Sequence, residues 1–302
     1  MATLLDHAQQ GDVGTIGDDS KITSTLKLME PQQLYELWER QPWASQSIDL
    51  EQDKRDWAAM PPEQREEILW LLSAFFIGEE RVTTQFSGLV MSYDDEQEEA
   101  FLTTQQVDEA RHMQFFDRYY REVFAMDEGD VRGRLEKVRE HVTDAFVKLF
   151  DESLVEAGNR LIANPRDRGA KVDFVTMYHM IIEGTLALSG QHFMIKYFEE
   201  DTETLPGFVE GFSKIAQDEH RHVAYGTWFL QQQADDPAMR ERIQATLIEL
   251  LPIAAGVLVP PGYTLGDDYT FLGTSSAEQT EFAFTALSRR LKVIGVGLPV
   301  AA

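Results

Sequence analysis

Between Phe174 and Ile195 the chain reads FVTMYHMIIEGTLALSGQHFMI, and Glu183 is the only formally charged residue in that stretch. A carboxylate set in an apolar helix is costly unless it is ion-paired or bound to a metal. Glu79 stands in a similar place, with Leu72, Phe75, Phe76, Val82 and Phe86 as helical neighbours. Its neighbour Glu80 shares a more polar face with Ser73, Thr84 and Ser87, so Glu79 is the inward candidate. Two further segments, DEARH and DEHRH, hold Glu-x-x-His: Glu109 with His112, and Glu219 with His222. Positions i and i+3 of a helix share one face, so each pair can reach a single ion. The face of Glu219 also carries Phe212, Ile215, Ala216, Val223 and Leu230, and that of His112 carries Met113 and Phe116. One Glu-x-x-His is ordinary surface decoration; two on apolar faces, with two isolated glutamates, form a pattern.

The spacing strengthens it. Apolar periodicity and breaker residues predict a short helix from Pro31, an irregular stretch from Pro42 to Trp57, and a long helix from Pro61-Pro62 to about Met91. Trp43 and Trp57 are expected to pin the irregular stretch to the bundle. A turn at Ser92–Asp95 leads to a helix ending near Phe124, and a third helical pattern covers Gly129 to Ile162. Further helices are expected over about 170–198, 208–233, 237–251 and 277–293, with loop from Pro252 to Ser276. Strand signals are weak throughout, so the expected class is all-α, a four-helix-bundle core with additional helices. Residues 1–27 form a polar arm or loose cap, 28–295 the bundle domain and 296–302 a short tail. If neighbouring long helices are antiparallel, Glu79 and Glu109 lie symmetrically about position 94, and Glu183 and Glu219 about position 201. Each pair then meets at one level, about 20–30 Å from its turn at 1.5 Å per residue. Four glutamates and two histidines facing one core are the ligand set of ferritin-like di-iron and di-manganese proteins.

Composition narrows the chemistry. No cysteine is present, so any metal must be held by oxygen and imidazole, which suits iron, manganese or zinc. The formal charge of −25, from 52 acidic and 27 basic residues, repels phosphate backbones and disfavours nucleic-acid binding. A hydrophobic content of 43% allows a sizeable core. Neither a secretory signal nor a membrane-spanning apolar run is evident, so a cytoplasmic protein is expected. Of the remaining polar residues, Asp218 is placed to orient a metal-bound imidazole, or is simply an exposed aspartate. His7 lies in the polar arm, His141 in a charged run, and His220 is turned away from the ligand face. His179 and His192 belong to the core or the layer behind the ligands, and Arg111 and Arg221 are surface or ion-pair partners.

The order Glu, Glu-x-x-His, Glu, Glu-x-x-His, together with DEARH, IIEG, DEHRH, LYELWERQPW and Asp53 to Trp57, resembles the small-subunit family of class I ribonucleotide reductases over residues 33–235. Two features depart from the radical-storing members. Phe116 stands four residues after the first ligand histidine, where those members have tyrosine. The chain ends KVIGVGLPVAA with no evident tail for docking on a large subunit. The sequence is more similar to a related branch, the ligand-binding oxidases with a mixed manganese–iron site. In that branch a valine three residues after the first glutamate is joined to a tyrosine five residues before the third. Here these are Val82, within GEERVT, and Tyr178, within MYHMIIEG.

This resemblance implies manganese held mainly by Glu79, Glu109 and His112, and iron by Glu183, Glu219 and His222, with a di-iron form possible. It implies dioxygen activation, an ether bond from the Val82 β-carbon to the Tyr178 oxygen, a bound long-chain fatty acid or other apolar ligand, and a homodimer. Tyr178 and Glu183 are about 140° apart on a regular helix, so both reach the site only if the helix is distorted there, as by a π-bulge. Gly184 would tolerate that. Two other readings stand beside the oxidase: a reductase small subunit without the radical tyrosine, and a non-enzymatic metal or fatty-acid binding protein.

Overall fold

The computed structural model describes residues 11–298; His7 of the expected arm and residues 299–302 of the expected tail lie outside the described residues. Helices α1 (Pro31–Glu39) and α2 (Glu51–Ala59) precede the long α3 (Pro62–Gln85), which a single turn, Ser87–Val90, extends. After a turn comes α4 (Glu96–Glu122), whose first amides at Gln97 and Glu98 are capped by Asp95. Then follow α5 (Val131–Val138), α6 (144–163), α7 (168–201), α8 (Pro206–Gln233), α9 (Pro237–Ala255) and α10 (Ser276–Ile294). The fold is ferritin-like. The antiparallel hairpins α3–α4 and α7–α8 pack against each other, and α1, α2, α9 and α10 cover them. Among the described residues, no helix is long and apolar enough to cross a membrane.

Several boundaries differ from expectation, each for a tertiary or capping reason. The stretch read as irregular contains α2. Asp53 on that helix is fully buried and accepts hydrogen bonds from the Gly207 and Phe208 amides at 2.8 and 2.7 Å. It thereby caps the start of α8 from another part of the chain. Trp57 is buried, as expected, against Phe124. The helical pattern from Gly129 to Ile162 is broken at Val142–Thr143, where the Thr143 hydroxyl caps a new helix through the Phe146 amide. Beyond Pro252, α9 continues to Ala255, and Thr270–Phe271 pairs with Thr274–Ser275 as a two-residue hairpin. The described part of the N-terminal arm is docked rather than loose, with Asp12 and Val13 buried.

One continuous aromatic core carries the bundle. Phe75, Phe116 and Phe212 from three of its helices meet with ring centroids 5.0–6.0 Å apart. Helices α7 and α8 come together where Gly226 faces His179, and any Cβ at position 226 would overlap the His179 Cβ. Gly226→Ala is therefore expected to force a backbone shift costing about 1–3 kcal/mol. A thermal melt should show a loss of several degrees, and an unchanged midpoint would contradict this packing.

Candidate metal centre

Six side chains predicted to share one core level do converge. Each is nearly or fully buried, from Glu79 at 6% exposure to His112 and His222 at 0%. Glu79, Glu109, His112 and Glu219 offer donor atoms within 4.8 Å of one another, and so do Glu109, Glu183, Glu219 and His222. Glu109 and Glu219 belong to both groups, so the arrangement is two four-residue sets joined by two shared carboxylates.

The imidazoles are oriented alike. His112 turns Nδ1 inward, 3.5 Å from Glu79, 3.7 Å from Glu109 and 3.6 Å from Glu219. His222 Nδ1 lies 3.1 Å from Glu109 and 3.2 Å from Glu183. Each ring directs Nε2 outward to an aspartate: His112 to Asp218 at 3.2 Å, His222 to Asp108 at 3.3 Å. An Nε2–H donated to a carboxylate leaves the Nδ1 lone pair facing the centre, the tautomer a metal requires. Arg221, only 1% exposed, lies between the aspartates, 3.0 Å from Asp108 and 2.5 Å from Asp218. Arg111 reaches both aspartates while stacking over Trp43. Trp38 Nε1 donates to Asp108 at 2.9 Å and Trp43 Nε1 to Asp218 at 2.7 Å. Asp218 is thus a buried orienting group and not an exposed one, and Arg221 is an ion-pair partner and not a surface residue. Asp108 performs for His222 the task of Asp218 for His112. The signal for it was present, since both DEARH and DEHRH open on aspartate.

The expected helix distortion is also found. Thr176–Ala187 is π-helical, closing with Leu188 N–H bonded to the Glu183 carbonyl five residues back. Five-residue spacing then places Tyr178 and Glu183 on the same side. The Tyr178 hydroxyl donates to Glu109 Oε1 at 2.6 Å. Gln105, not singled out from sequence, reaches Tyr178, His179 and Glu183 at 3.3–3.4 Å. Val82 and Tyr178 line one cavity of about 50 Å³ together with Glu79, Glu109, Glu183 and Glu219. Phe75, Phe150, Ile182 and Leu186 close its apolar side. Leu186 and Leu258 also border a larger cleft of about 610 Å³ between α7, α9 and α10. His220, as expected, points away, to Asp12. His179 is core and His192 stacks on Phe282, neither joining the donor sets.

Electrostatically the cluster holds too much negative potential for its burial. Burial pushes the Glu79 carboxyl up to about 8 although His112 opposes it, and burial with the facing Glu219 raises Glu183 well above its usual range. Burial also works against the charged imidazoles, yet the carboxylates around them raise both His112 and His222. Glu109 goes the other way: the two imidazoles overcome the effect of burial and hold it low. Burial opposes ionisation of Asp218 as well, but Arg221 and His112 keep it low. Three inward atoms, His112 Nδ1, Glu183 Oε2 and Glu219 Oε2, have no hydrogen-bond partner. Buried acceptors left in this state are costly, and a pair of divalent cations would satisfy them. The residues therefore fit a di-metal centre in donor chemistry, number and orientation.

Bundle and cluster together define a ferritin-like carboxylate protein. Residues 24–258 match the family model of the ribonucleotide reductase small chain, and the chain belongs to that family. Among solved structures it is similar to an R2-like ligand-binding oxidase with an aerobically reconstituted Mn/Fe cofactor after a long soak. That likeness has 26% identity and a TM-score of 0.72, over 87% of this chain and 92% of that one. A tyrosine-to-phenylalanine variant of such an oxidase, also with an aerobically reconstituted Mn/Fe cofactor, matches at 25% identity and a TM-score of 0.72, over 90% and 94% of the two chains. A glycine-to-phenylalanine variant, reconstituted anaerobically, matches at 25% and 0.73, over 90% and 95%.

A pH dependence follows from the raised groups. Glu79 has a folded-state value of about 8 against an ordinary 4.5, so its stabilising contribution is complete below the ordinary value and lost as pH rises through about 8. Glu183, His112 and His222 are raised as well and act in the same direction. The lowered Glu109 and Asp218 act only in more acidic solution. The melting temperature of metal-free protein should fall between about pH 5 and pH 8, and Glu79→Gln should flatten the fall. Metal loading should abolish it by holding the ligands deprotonated. A flat or rising profile for the metal-free chain would contradict this balance of charges.

Proposed function

We propose that this chain is a dioxygen-activating di-metal oxidase, with Glu79, Glu109 and His112 as the principal ligands of manganese and Glu183, Glu219 and His222 as those of iron. The observation that carries the reading is the pair of donor sets sharing Glu109 and Glu219, beside a cavity lined by Val82 and Tyr178. When bound, the two ions would supply the redox equivalents and open coordination positions for reduction of dioxygen. The likeness to ligand-binding oxidases with a Mn/Fe cofactor supports these metals over zinc, which has no redox chemistry.

The chain's own residues then have definite tasks. Asp108 and Asp218 hold the imidazoles with Nδ1 inward, and the apolar lining excludes water. Burial, with Glu109 and Glu183 nearby, keeps the Tyr178 phenol protonated. Glu109 Oε1 stands 2.6 Å away as acceptor for that proton. Loss of the Tyr178 O–H and a Val82 Cβ–H, with a C–O bond formed between them, removes two protons and two electrons, and dioxygen is the electron acceptor. The small cavity and the adjoining 610 Å³ cleft, mostly apolar in lining, suit a long-chain fatty acid or similar ligand.

Intact-mass measurement after aerobic loading with manganese and iron should show the loss of two hydrogens, and digestion should yield linked peptides bearing Val82 and Tyr178. Tyr178→Phe should bind the same metals without the mass change. An unlinked pair in fully loaded, oxygen-exposed protein would remove the self-oxidation from this reading. Family membership favours one alternative, a ribonucleotide reductase small subunit. Phe116 is fully buried between Phe75 and Phe212, so that position offers no phenol for radical storage. Nucleotide reduction restored by adding a large subunit to the loaded chain would favour the alternative.

A further inference from the structure

Outside the donor sets, one deeply buried ion pair among the described residues joins the N-terminal segment to α10. Arg290 on α10 and Asp12 before Gly14 are each 1% exposed. Arg290 Nε and Nη2 donate to the two oxygens of Asp12 at 2.8 and 2.6 Å. Its remaining nitrogen, Nη1, donates to the backbone carbonyl of Gly184. Asp12 also accepts from the Gly14 amide at 2.9 Å and meets His220 Nδ1 at 2.7 Å. Gly14 lies flat on the guanidinium, where a Cβ would stand 2.5 Å from Arg290 Cζ.

The attachment points are informative. Gly184 directly follows Glu183, within the π-helical segment, and His220 directly follows Glu219. Glu183 has few side-chain restraints of its own. Its Oε2 has no partner, and its Oε1 has Gln105 and His222 at 3.2–3.3 Å. The imidazoles are held by buried aspartates, whereas Glu183 depends on where its backbone is held. A π-helical turn departs from regular helical bonding, and a charged donor on the next carbonyl is a strong restraint on it. Glu79 and His112, at the other end of the cluster, are not touched by this pair.

We infer that the Asp12–Arg290 pair is a positioning element for the Glu183 side of the metal centre, anchored on the Gly184 carbonyl. Through Gly184 it sets the affinity of the ion held by Glu183 and His222, and it bears less on the Glu79–His112 position, which it approaches only through the shared Glu219. The inference rests on the di-metal reading above, and the test separates the two.

Asp12→Asn combined with Arg290→Met removes both charges together, so no buried charge is stranded, and it deletes the bond to Gly184. Gly14→Ala keeps both charges but displaces the guanidinium. Circular dichroism establishes that each variant is folded; if the double variant is not, Gly14→Ala alone decides. Manganese(II) is titrated into the full chain, with bound ions counted after desalting and the spin-coupled pair followed by electron paramagnetic resonance. Wild type should bind two ions per chain and show the coupled signal. The variants should bind the first ion as wild type does and the second roughly tenfold to a hundredfold more weakly, so that an isolated-ion signal replaces the coupled one. Folded variants that bind both ions with wild-type affinity, or weaken both equally, would overturn the positioning role. Failure of wild type to bind two ions would instead overturn the metal-centre reading.

Discussion

Six ionisable groups enclosed in an aromatic core are the constraint on which the rest of this structure depends. A carboxylate removed from water is expensive, and here four of them face two imidazoles at almost no solvent exposure. The imidazoles offset only part of that charge, since burial holds Glu79 and Glu183 towards their protonated forms while Glu109 stays ionised. Such a cluster is poorly satisfied by protein alone. Cations at its centre resolve the conflict, and the electrostatics and the donor chemistry point to the same answer.

The surrounding layers follow from that demand. Arg221 lies between Asp108 and Asp218 and keeps both carboxylates available to the imidazoles. Trp38 and Trp43 donate to the same two aspartates from the N-terminal segment, which ties that segment to the bundle. Arg290 and Asp12 reach the other side through the Gly184 carbonyl. Each face of the cluster is thus held from a different part of the chain. Asp12 from the expected arm and Arg290 from α10 meet there as buried charges, next to the residue that follows Glu183.

Much of the bundle was legible because helical periodicity is local. The turn near position 94 and the loop near 201 put the glutamates of each hairpin at one level, and the structure has them there. The five-residue separation of Tyr178 and Glu183 required a distorted helix, and Thr176–Ala187 is π-helical. Other features were hidden for identifiable reasons. Helix α2 has weak amphipathic pattern, and Asp53 fixes it by capping a helix some 150 residues on. Asp108 carries the same motif position as Asp218, but sequence does not mark it as buried, since an aspartate before a glutamate reads as solvated until packing encloses it. Nothing in composition pairs Asp12 with Arg290, which are 278 residues apart.

By itself the sequence determined which donors exist, which helical faces carry them and how far each stands from its turn. Those quantities depend on neighbours within a few residues, where geometry is nearly fixed. Only the tertiary structure decided that Glu109 and Glu219 are common to both donor sets and that Val82 and Tyr178 line one cavity. It alone decided that Asp12 and Arg290 meet beside the Gly184 carbonyl, next to Glu183. Distances between helices come from packing of side chains far apart in sequence, and periodicity carries no record of them.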